Sequence, residues 1–530
     1  MGLKWDAFAV FIFFFMVVTI LGFVAARWRR GDLNLLHEWG LAGRRFGTVV
    51  TWFLLGGDLY TAYTFIAIPA AMYATGAVSG FFSIPYTVLI YPLVFILMPR
   101  FWTICKKKGY VTAADFVRNR FDSRWLALAV AFTGILATLP YIALQMYGIE
   151  VSLAAMGIPL TTSIFGLNID IPLLIAFLIL AAYTYTSGLR APAMIALVKD
   201  MMIFIVLFVA ITVIPAQLGG FGKIFDAAHF KAIHPIPKAA PFFDKIPSQQ
   251  YATYATLALG SALALFLYPH SLTGILSSSN TEVIKRNAAF LPLYSLMLGF
   301  LALLGYAAIA AKVPLLPDFG ANSAIPALFN VSFPGWFAGF AFAAISIGAL
   351  VPAAVMSIAA ANLFTRNIYK EYIKKDATDR QESQVAKITS LIIKFGALLF
   401  IVYVQPAQVV FFQLLGGIWM LQTLPSVFLS LYTRWFNRWA LLIGWAAAMG
   451  IGTWLFFANN NSPTAIVPIL NVRLYTAITV LALNLVLAVI LTPVFNLLGA
   501  KNGNDATIPD DYAEETAPVK PVEGGLEALG

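Results

Sequence analysis

The chain has 530 residues, of which 60% are hydrophobic and only 11% are charged, and its mean hydropathy is +0.83. A soluble domain carries roughly 25% charged residues, so this composition excludes an ordinary soluble protein. The formal net charge of +10 does not indicate nucleic-acid binding. The basic residues lie in short loops between long apolar blocks, where they set the orientation of a membrane protein.

About thirteen apolar blocks approach the roughly 20 residues that a membrane-spanning helix needs. The predicted spans are residues 6–26, 47–76, 81–103, 125–156, 169–187, 193–216, 251–272, 289–311, 336–364, 388–404, 406–432, 440–458 and 473–498. They predict an all-α polytopic membrane protein with a transmembrane domain over residues 1–498. Residues 499–530 have the composition of a disordered tail.

The basic residues fall in alternate loops. One set of loops carries Arg27, Arg29, Arg30, Arg44 and Arg45; Lys106, Lys107, Lys108, Arg118 and Arg120; Lys285 and Arg286; Arg366, Lys370, Lys374 and Lys375; and Arg434 and Arg438. The opposite loops are nearly free of Lys and Arg, apart from residues 217–250 and Lys312. The positive-inside rule therefore predicts a plasma-membrane protein with its N-terminus outside and its C-terminus in the cytoplasm.

The second predicted span contains a carboxylate in the middle of an apolar run. Asp58 follows Gly56 and Gly57, which favour a break in the helix. An ionisable residue at bilayer depth is costly and indicates a functional site, and broken helices at the midplane are typical of secondary transporters. The alternative is that the glycines serve packing and that Asp58 caps a half-helix.

The seventh predicted span has interruptions of its own, at Leu259-Gly-Ser-Ala262 and at Tyr268-Pro-His270. It lies five helices after the second span, so the two spans would open two five-helix units of opposite orientation. These units are residues 47–216 and residues 251–432. Paired interruptions in corresponding positions of two repeats indicate a transporter's binding site.

Several segments resemble the sodium/solute symporter family, and most closely its monocarboxylate permease branch. They are Trp39–Phe46, Trp52–Thr64, Gly109–Phe121, Gly134–Gln145 and Phe364–Lys370. The similarity extends from about residue 10 to about residue 495. It implies a LeuT-like core of two inverted five-helix repeats, with one span before the core and two after it.

The resemblance also implies a sodium site, but this chain departs from the family there. The family's backbone carbonyl ligands fall on Gly57 and Tyr60, and its pair of hydroxyl ligands falls on Val351 and Pro352, which carry no side-chain oxygen. Sodium is a hard cation that prefers oxygen ligands.

On the sixth span, Lys199 replaces the family's usual threonine before Asp200. The ammonium group can take the position and charge of sodium, or Lys199 can extend to the membrane surface instead. Asp58, Lys199 and Asp200 are therefore the candidate coupling residues.

A short monocarboxylate needs donors for its carboxylate and a small apolar wall. The candidate substrate-binding residues are Tyr60, Thr61, Thr64, Gln145, Gln413 and Trp419, together with free N–H groups of the half-helix that starts near Leu59. Each of these side chains can instead hold helices together through interhelical hydrogen bonds. His270 is a candidate proton carrier or an interfacial side chain.

The function predicted is secondary active uptake of short monocarboxylates such as pyruvate, lactate, acetate and propionate, by a proton-coupled or sodium-independent mechanism. The alternative is a sodium-coupled symporter of another small solute, such as an amino acid or a vitamin acid. No catalytic or ATP-binding motif indicates an enzyme or a pump. The expected partners are a small organic anion, the lipid bilayer and H+ or Na+, with no other cofactor; a small partner subunit is left open.

Overall fold

The computed structural model describes residues 2–28, 31–164, 167–235, 237, 240–403, 409–468, 471–500 and 502–514. Within these ranges ten helices are long and apolar enough to cross a membrane, and one bent pair of helices raises the number to eleven. This confirms the prediction of an all-α polytopic membrane protein. The count of thirteen further requires two spans built from shorter helices, and it stays a prediction.

The first repeat begins with a broken span. The helices up to its end are α1 (Trp5–Val24), α2 (Leu36–Leu41), α3 (Thr48–Gly57), α4 (Ile68–Ala74), α5 (Ala77–Gly80), α6 (Ser83–Lys108), α7 (Ala113–Phe121), α8 (Arg124–Ala155), α9 (Ile171–Ser187) and α10 (Arg190–Gln217). Between α3 and α4 the chain forms a turn and then a π-helical segment, Tyr63–Ala67. The break therefore follows Gly56 and Gly57, where the sequence predicts it.

The second repeat also begins with an interrupted span. The helices between the predicted end of the first repeat and residue 432 are α11 (Phe221–Ile233), α12 (Tyr251–Leu265), α13 (Pro269–Leu276), α14 (Thr281–Leu296), α15 (Leu298–Ala310), α16 (Ala324–Ser332), α17 (Gly335–Phe364), α18 (Asp379–Tyr403), α19 (Val409–Leu421) and α20 (Leu424–Val427). The chain bends by 49° between α12 and α13. The helix is not broken at Gly260, which lies inside α12. This glycine instead makes room for a neighbour, since a Cβ there would lie 2.6 Å from the Tyr475 ring.

Two helices and two short hairpins complete the fold. The helices are α21 (Arg438–Ala458) and α22 (Thr476–Leu497), and the hairpins pair β1 (Thr161–Ile164) with β2 (Leu167–Asp170) and β3 (Thr464–Val467) with β4 (Val472–Tyr475). Both hairpins are antiparallel. Each consists of four-residue strands, so they add local caps to a helical protein.

Three of the family-like segments, Trp39–Phe46, Gly109–Phe121 and Phe364–Lys370, meet at one end of the molecule, which we call the basic face and define by the loops around Arg44, Lys108 and Arg366. Arg44 donates to the carbonyl of Leu276 at 3.0 Å. Asn367 donates to the Asp115 carboxylate at 2.8 Å and accepts from the Thr112 hydroxyl at 2.8 Å. These three segments therefore hold helix ends together, whereas Trp52–Thr64 forms the break in the second span and Gly134–Gln145 contacts that break through Gln145.

Part of the tail also packs on the basic face. Residues 502–514 contact this face in the structure, and the expectation that residues 499–530 form a disordered tail stays a prediction. Asp505 pairs with Arg120 at 2.7 Å, and Tyr512 is only 6% exposed against Phe116. The prediction for residues 515–530 lies outside the described residues.

Candidate cation and substrate site

The break in the second span is held open by side chains that take its backbone donors. The N–H of Thr61 donates to the Thr64 hydroxyl, and the N–H of Tyr63 donates to the Thr61 hydroxyl, both at 3.0 Å. The N–H of Ala62 donates to the Gln145 side-chain oxygen on α8, also at 3.0 Å. The expectation that these N–H groups are free for a substrate is wrong in this conformation, because each already has a partner.

The side chain of Lys199 reaches from α10 into this break. Its Nζ donates to the carbonyl of Gly57 at 2.5 Å and to that of Tyr60 at 3.3 Å, and it lies 3.0 Å from the Asp200 carboxylate. Both side chains, of Lys199 and of Asp200, are 0% exposed. Lys199 therefore does not extend to the membrane surface; it forms a buried ion pair at the break.

Glycine at position 57 is required by this contact. A Cβ on Gly57 would lie 2.8 Å from the Lys199 Nζ and 2.8 Å from an Asp200 carboxylate oxygen. Any larger residue would push the ammonium away from the carbonyls of the break. Gly57 thus serves close approach as well as helix breaking.

These residues do not fit a sodium ion. The two carbonyls that the family resemblance assigns to sodium, Gly57 and Tyr60, accept hydrogen bonds from Lys199 instead. On the other side, α17 passes the Tyr60 carbonyl at Gly348, where a Cβ would lie 3.6 Å from that oxygen. One turn further along α17 are Val351 and Pro352, which are buried and offer no side-chain oxygen.

Asp58 connects the two interrupted spans. Its Oδ2 lies 3.4 Å from His270 Nε2 and accepts a hydrogen bond from the Ser271 hydroxyl at 3.2 Å. Asp58 and His270 are therefore neighbours, but they make no hydrogen bond with each other in the described structure. The structure places both residues at the bends, and Asp58 makes no capping hydrogen bond to the described backbone.

A small cavity lies beside these bends. It has a volume of about 30 Å³, room for one or two water-sized groups. Tyrosines dominate its lining, and Ser261 and Gln413 supply further polar atoms; the tyrosines are Tyr63, Tyr86, Tyr141, Tyr268 and Tyr475. A phenol ring offers an apolar wall and one hydroxyl donor, which is the pairing that a short carboxylic acid needs.

The predicted substrate residues divide into three groups by position. Gln413 lines the cavity. Thr61, Thr64 and Gln145 cap the break. The Tyr60 hydroxyl donates to the carbonyl of Tyr294, and the Trp419 indole donates to Thr453 on α21 at 2.8 Å, so these two side chains point to structural partners.

None of the five tyrosines that line the cavity is among the six predicted substrate-binding side chains. Tyr63 lies in the second predicted span, next to Thr61 and Thr64, which are. Tyr86 and Tyr141 lie on α6 and α8, Tyr268 lies in the bend between α12 and α13, and Tyr475 ends β4, so no spacing in the sequence connects them. Tyrosine is also common at membrane interfaces, so a single one carries little information. The only signal was the Tyr268-Pro-His270 interruption.

Comparisons with known proteins agree with this architecture. The family model of the sodium:solute symporter family matches residues 39–447. A monocarboxylate transport permease protein of Rhizobium johnstonii is 51% identical over 493 residues, covering 91% of this chain and 96% of the relative. An uncharacterised Bacillus subtilis symporter, YodF, is 31% identical over 489 residues, covering 91% of this chain and 92% of the relative.

The same fold occurs in a solved structure. A Na+-coupled sialic acid symporter, in its substrate-bound outward-open state, superposes with a TM-score of 0.73 at 16% identity, covering 92% of this chain and 98% of that one. The likeness shows a LeuT-like fold. The relatives are transporters, which confirms the prediction of a solute transporter rather than an enzyme.

Proposed function

The chain belongs to the sodium:solute symporter family, and we propose that it takes up short monocarboxylates with a lysine ammonium in place of sodium. The observation that carries the proposal is the position of Lys199, whose Nζ contacts the Gly57 and Tyr60 carbonyls and pairs with Asp200. The Lys199 ammonium there already balances the buried carboxylate. A sodium ion is then not needed to hold the Gly57 and Tyr60 carbonyls in place at the break.

The substrate class is supported by two independent features. A relative that is 51% identical is named a monocarboxylate transport permease. The cavity beside the bends is small. The Tyr268 and Tyr475 hydroxyls donate to the carbonyls of Gln413 and Leu414, while those of Tyr63 and Tyr86 can donate to a carboxylate and the rings can meet a short alkyl end. Pyruvate, lactate, acetate and propionate each have one carboxylate and a short alkyl end. Each is larger than the one or two water-sized groups for which the cavity has room in this conformation, so the cavity must widen to bind them.

A transporter that uses no sodium gradient needs another driving force to accumulate an anion. One proton carried with each monocarboxylate would make the cycle electrically neutral, so that the membrane potential does not oppose uptake. Lys199 and Asp200 compensate each other and contribute no net charge to this balance. We therefore propose proton coupling, with Asp58 near the coupling path.

The alternative is sodium-coupled symport of another small solute, such as an amino acid or a vitamin acid. The family name and the sodium-coupled sialic acid symporter that shares the fold favour it. It requires Lys199 to leave the Gly57 and Tyr60 carbonyls during the cycle. In both cases we propose a plasma-membrane protein with the basic face in the cytoplasm.

The substrate assignment is tested with purified protein in liposomes. Uptake of radiolabelled pyruvate should saturate, and unlabelled lactate, acetate and propionate should compete for the same site. Protein-free liposomes correct for passive entry of the undissociated acids. If proline or pantothenate is transported and no short monocarboxylate competes, the substrate assignment is wrong.

A further inference from the structure

A second buried lysine lies in the membrane domain, away from the break. Lys394 on α18 is 0% exposed. Lys394 lies about 22 Å along the helix axis from Asp379, the first residue of α18. The other end of α18, at Tyr403, is about 14 Å away. The hydrocarbon core of a bilayer is about 30 Å thick and a lysine side chain is shorter than either distance, so we expect this amine within the core.

The two buried lysines differ in how their charge is compensated. Lys199 has a carboxylate at 3.0 Å and two carbonyl acceptors. Among the described residues, Lys394 has one hydrogen-bond partner, the Ser390 hydroxyl at 2.8 Å, and no ion pair. A charged ammonium without a counter-charge is costly in a low-dielectric interior, whereas the neutral amine is not.

No charged group of the neighbouring elements offsets this difference. Helix α17, which packs most closely on α18, has no titratable residue. The other main neighbours of α18 are α8, α9, α2 and the π-helical segment after α17. Their titratable residues are Arg124, Tyr141, Tyr147 and Glu150 on α8; Tyr183 and Tyr185 on α9; His37 and Glu38 on α2; and Arg366, Tyr369, Lys370, Glu371 and Tyr372 in the π-helical segment. Among the described contacts, none of these residues makes a hydrogen bond or ion pair with Lys394. On α18 itself, the nearest basic residue is Lys387, two turns earlier.

A chain of hydroxyl groups leads from Lys394 towards the cation site. Ser390 donates to the Ser357 hydroxyl at 3.2 Å, and Ser357 donates to the carbonyl of Ala354 at 2.8 Å. Ala354 lies two residues after Pro352 on α17, the helix that borders the Tyr60 carbonyl. The amine is thus connected by hydrogen bonds to α17, the helix whose Gly348 lies beside the Tyr60 carbonyl.

We propose that Lys394 is the proton-carrying residue of this transporter, while Lys199 is a fixed cation. In the cycle the neutral amine takes up one proton from the outward-facing side and becomes an ammonium. It releases that proton to the cytoplasmic side after the monocarboxylate has crossed. No electron is transferred, and one proton moves with each anion. The proposal rests on the proton-coupled function argued above.

Lys394→Gln is the test, and Lys387→Gln is the matched control on the same helix. Reconstituted variants are compared in two assays: exchange of labelled pyruvate at equal pH on both sides, and net accumulation driven by an inward proton gradient. We expect Lys394→Gln to keep exchange near the wild-type rate and to lose roughly tenfold or more of the gradient-driven accumulation. Lys387→Gln should behave as the wild type in both assays.

The outcomes separate the two proposals. Accumulation by Lys394→Gln equal to that of Lys387→Gln would overturn the role of Lys394. Loss of exchange together with accumulation, in protein that elutes as a single species, would overturn it too, because a proton carrier is not needed for exchange. If Lys394→Gln does not fold, Lys394→Met gives the same comparison. Wild-type protein that exchanges no monocarboxylate would instead contradict the proposed function.

Discussion

At the scale of single residues, the site depends on one close approach. The ammonium of Lys199 fits between two carbonyls and a carboxylate because position 57 has no side chain. A buried ion pair of this kind does not by itself stabilise a fold, but removing one partner typically costs about 3–5 kcal/mol. The identity of residues 57, 199 and 200 is therefore coupled.

Gly57→Ala should displace the Lys199 ammonium and destabilise the protein by about 1–3 kcal/mol, the usual range for overpacking. Gly47→Ala is the matched control at the start of the same helix, because no atom lies within 4 Å of a Cβ there and its φ of −78° suits alanine. Thermal melting of both variants in detergent measures the difference. Equal melting temperatures would contradict the close contact at Gly57.

Lys199→Ala should create a sodium response in a protein that lacks one. Without the ammonium, the carbonyls of Gly57 and Tyr60 and the Asp200 carboxylate offer oxygen atoms to a hard cation. Ligand binding to the folded state raises stability by mass action, so sodium should raise the melting temperature of Lys199→Ala more than choline does. The wild type should melt at the same temperature in both salts. A sodium shift in the wild type would contradict the fixed-cation role.

At the scale of helices and segments, local sequence signals were informative and long-range contacts were not. The break after Gly57 was predictable because the glycine pair and Asp58 are adjacent in sequence. Its capping by Gln145 was predicted as substrate contact, because nothing in the sequence fixes which side chain of α8 faces the break. The sequence predicts an interruption at Gly260, whereas the structure uses this glycine for close packing against the Tyr475 ring. In the sequence alone, a glycine that serves packing looks the same as one that breaks a helix.

The contacts of residues 502–514 could not be predicted from the sequence, because the segment is polar and its partners are distant in the chain. Tyr512 packs on Phe116 and contacts the Arg100 guanidinium, while Asp505 pairs with Arg120. Composition alone cannot identify such docking, because one buried tyrosine and a few ion pairs are enough to fix a short segment.

The tail contacts predict a measurable contribution to stability. The double variant Asp505→Asn and Tyr512→Ala should lower the melting temperature by a few degrees, because it leaves the nearly buried Arg120 without its carboxylate and removes a buried ring. Asp510→Asn is the control, since the residue is exposed and only its backbone carbonyl is used by Lys107. A double variant as stable as Asp510→Asn would indicate that the segment does not dock.

At the scale of the whole molecule, the predicted orientation puts the basic face in the cytoplasm. In a protein with Cys105 replaced by serine, single cysteines are introduced at Asn504 and at Lys245, which lie on opposite ends of the predicted topology. A membrane-impermeant maleimide applied to intact cells should label position 245 and not position 504. External labelling at position 504 would contradict the orientation and the positive-inside argument.

We propose that Lys199 makes uptake independent of sodium in this member of the sodium:solute symporter family. The direct measurement is initial pyruvate uptake into proteoliposomes at fixed pH, with external sodium chloride replaced by choline chloride at equal ionic strength. We predict equal rates in both salts and a rate that rises when an inward proton gradient is imposed. Uptake that requires sodium and ignores the proton gradient would contradict this account.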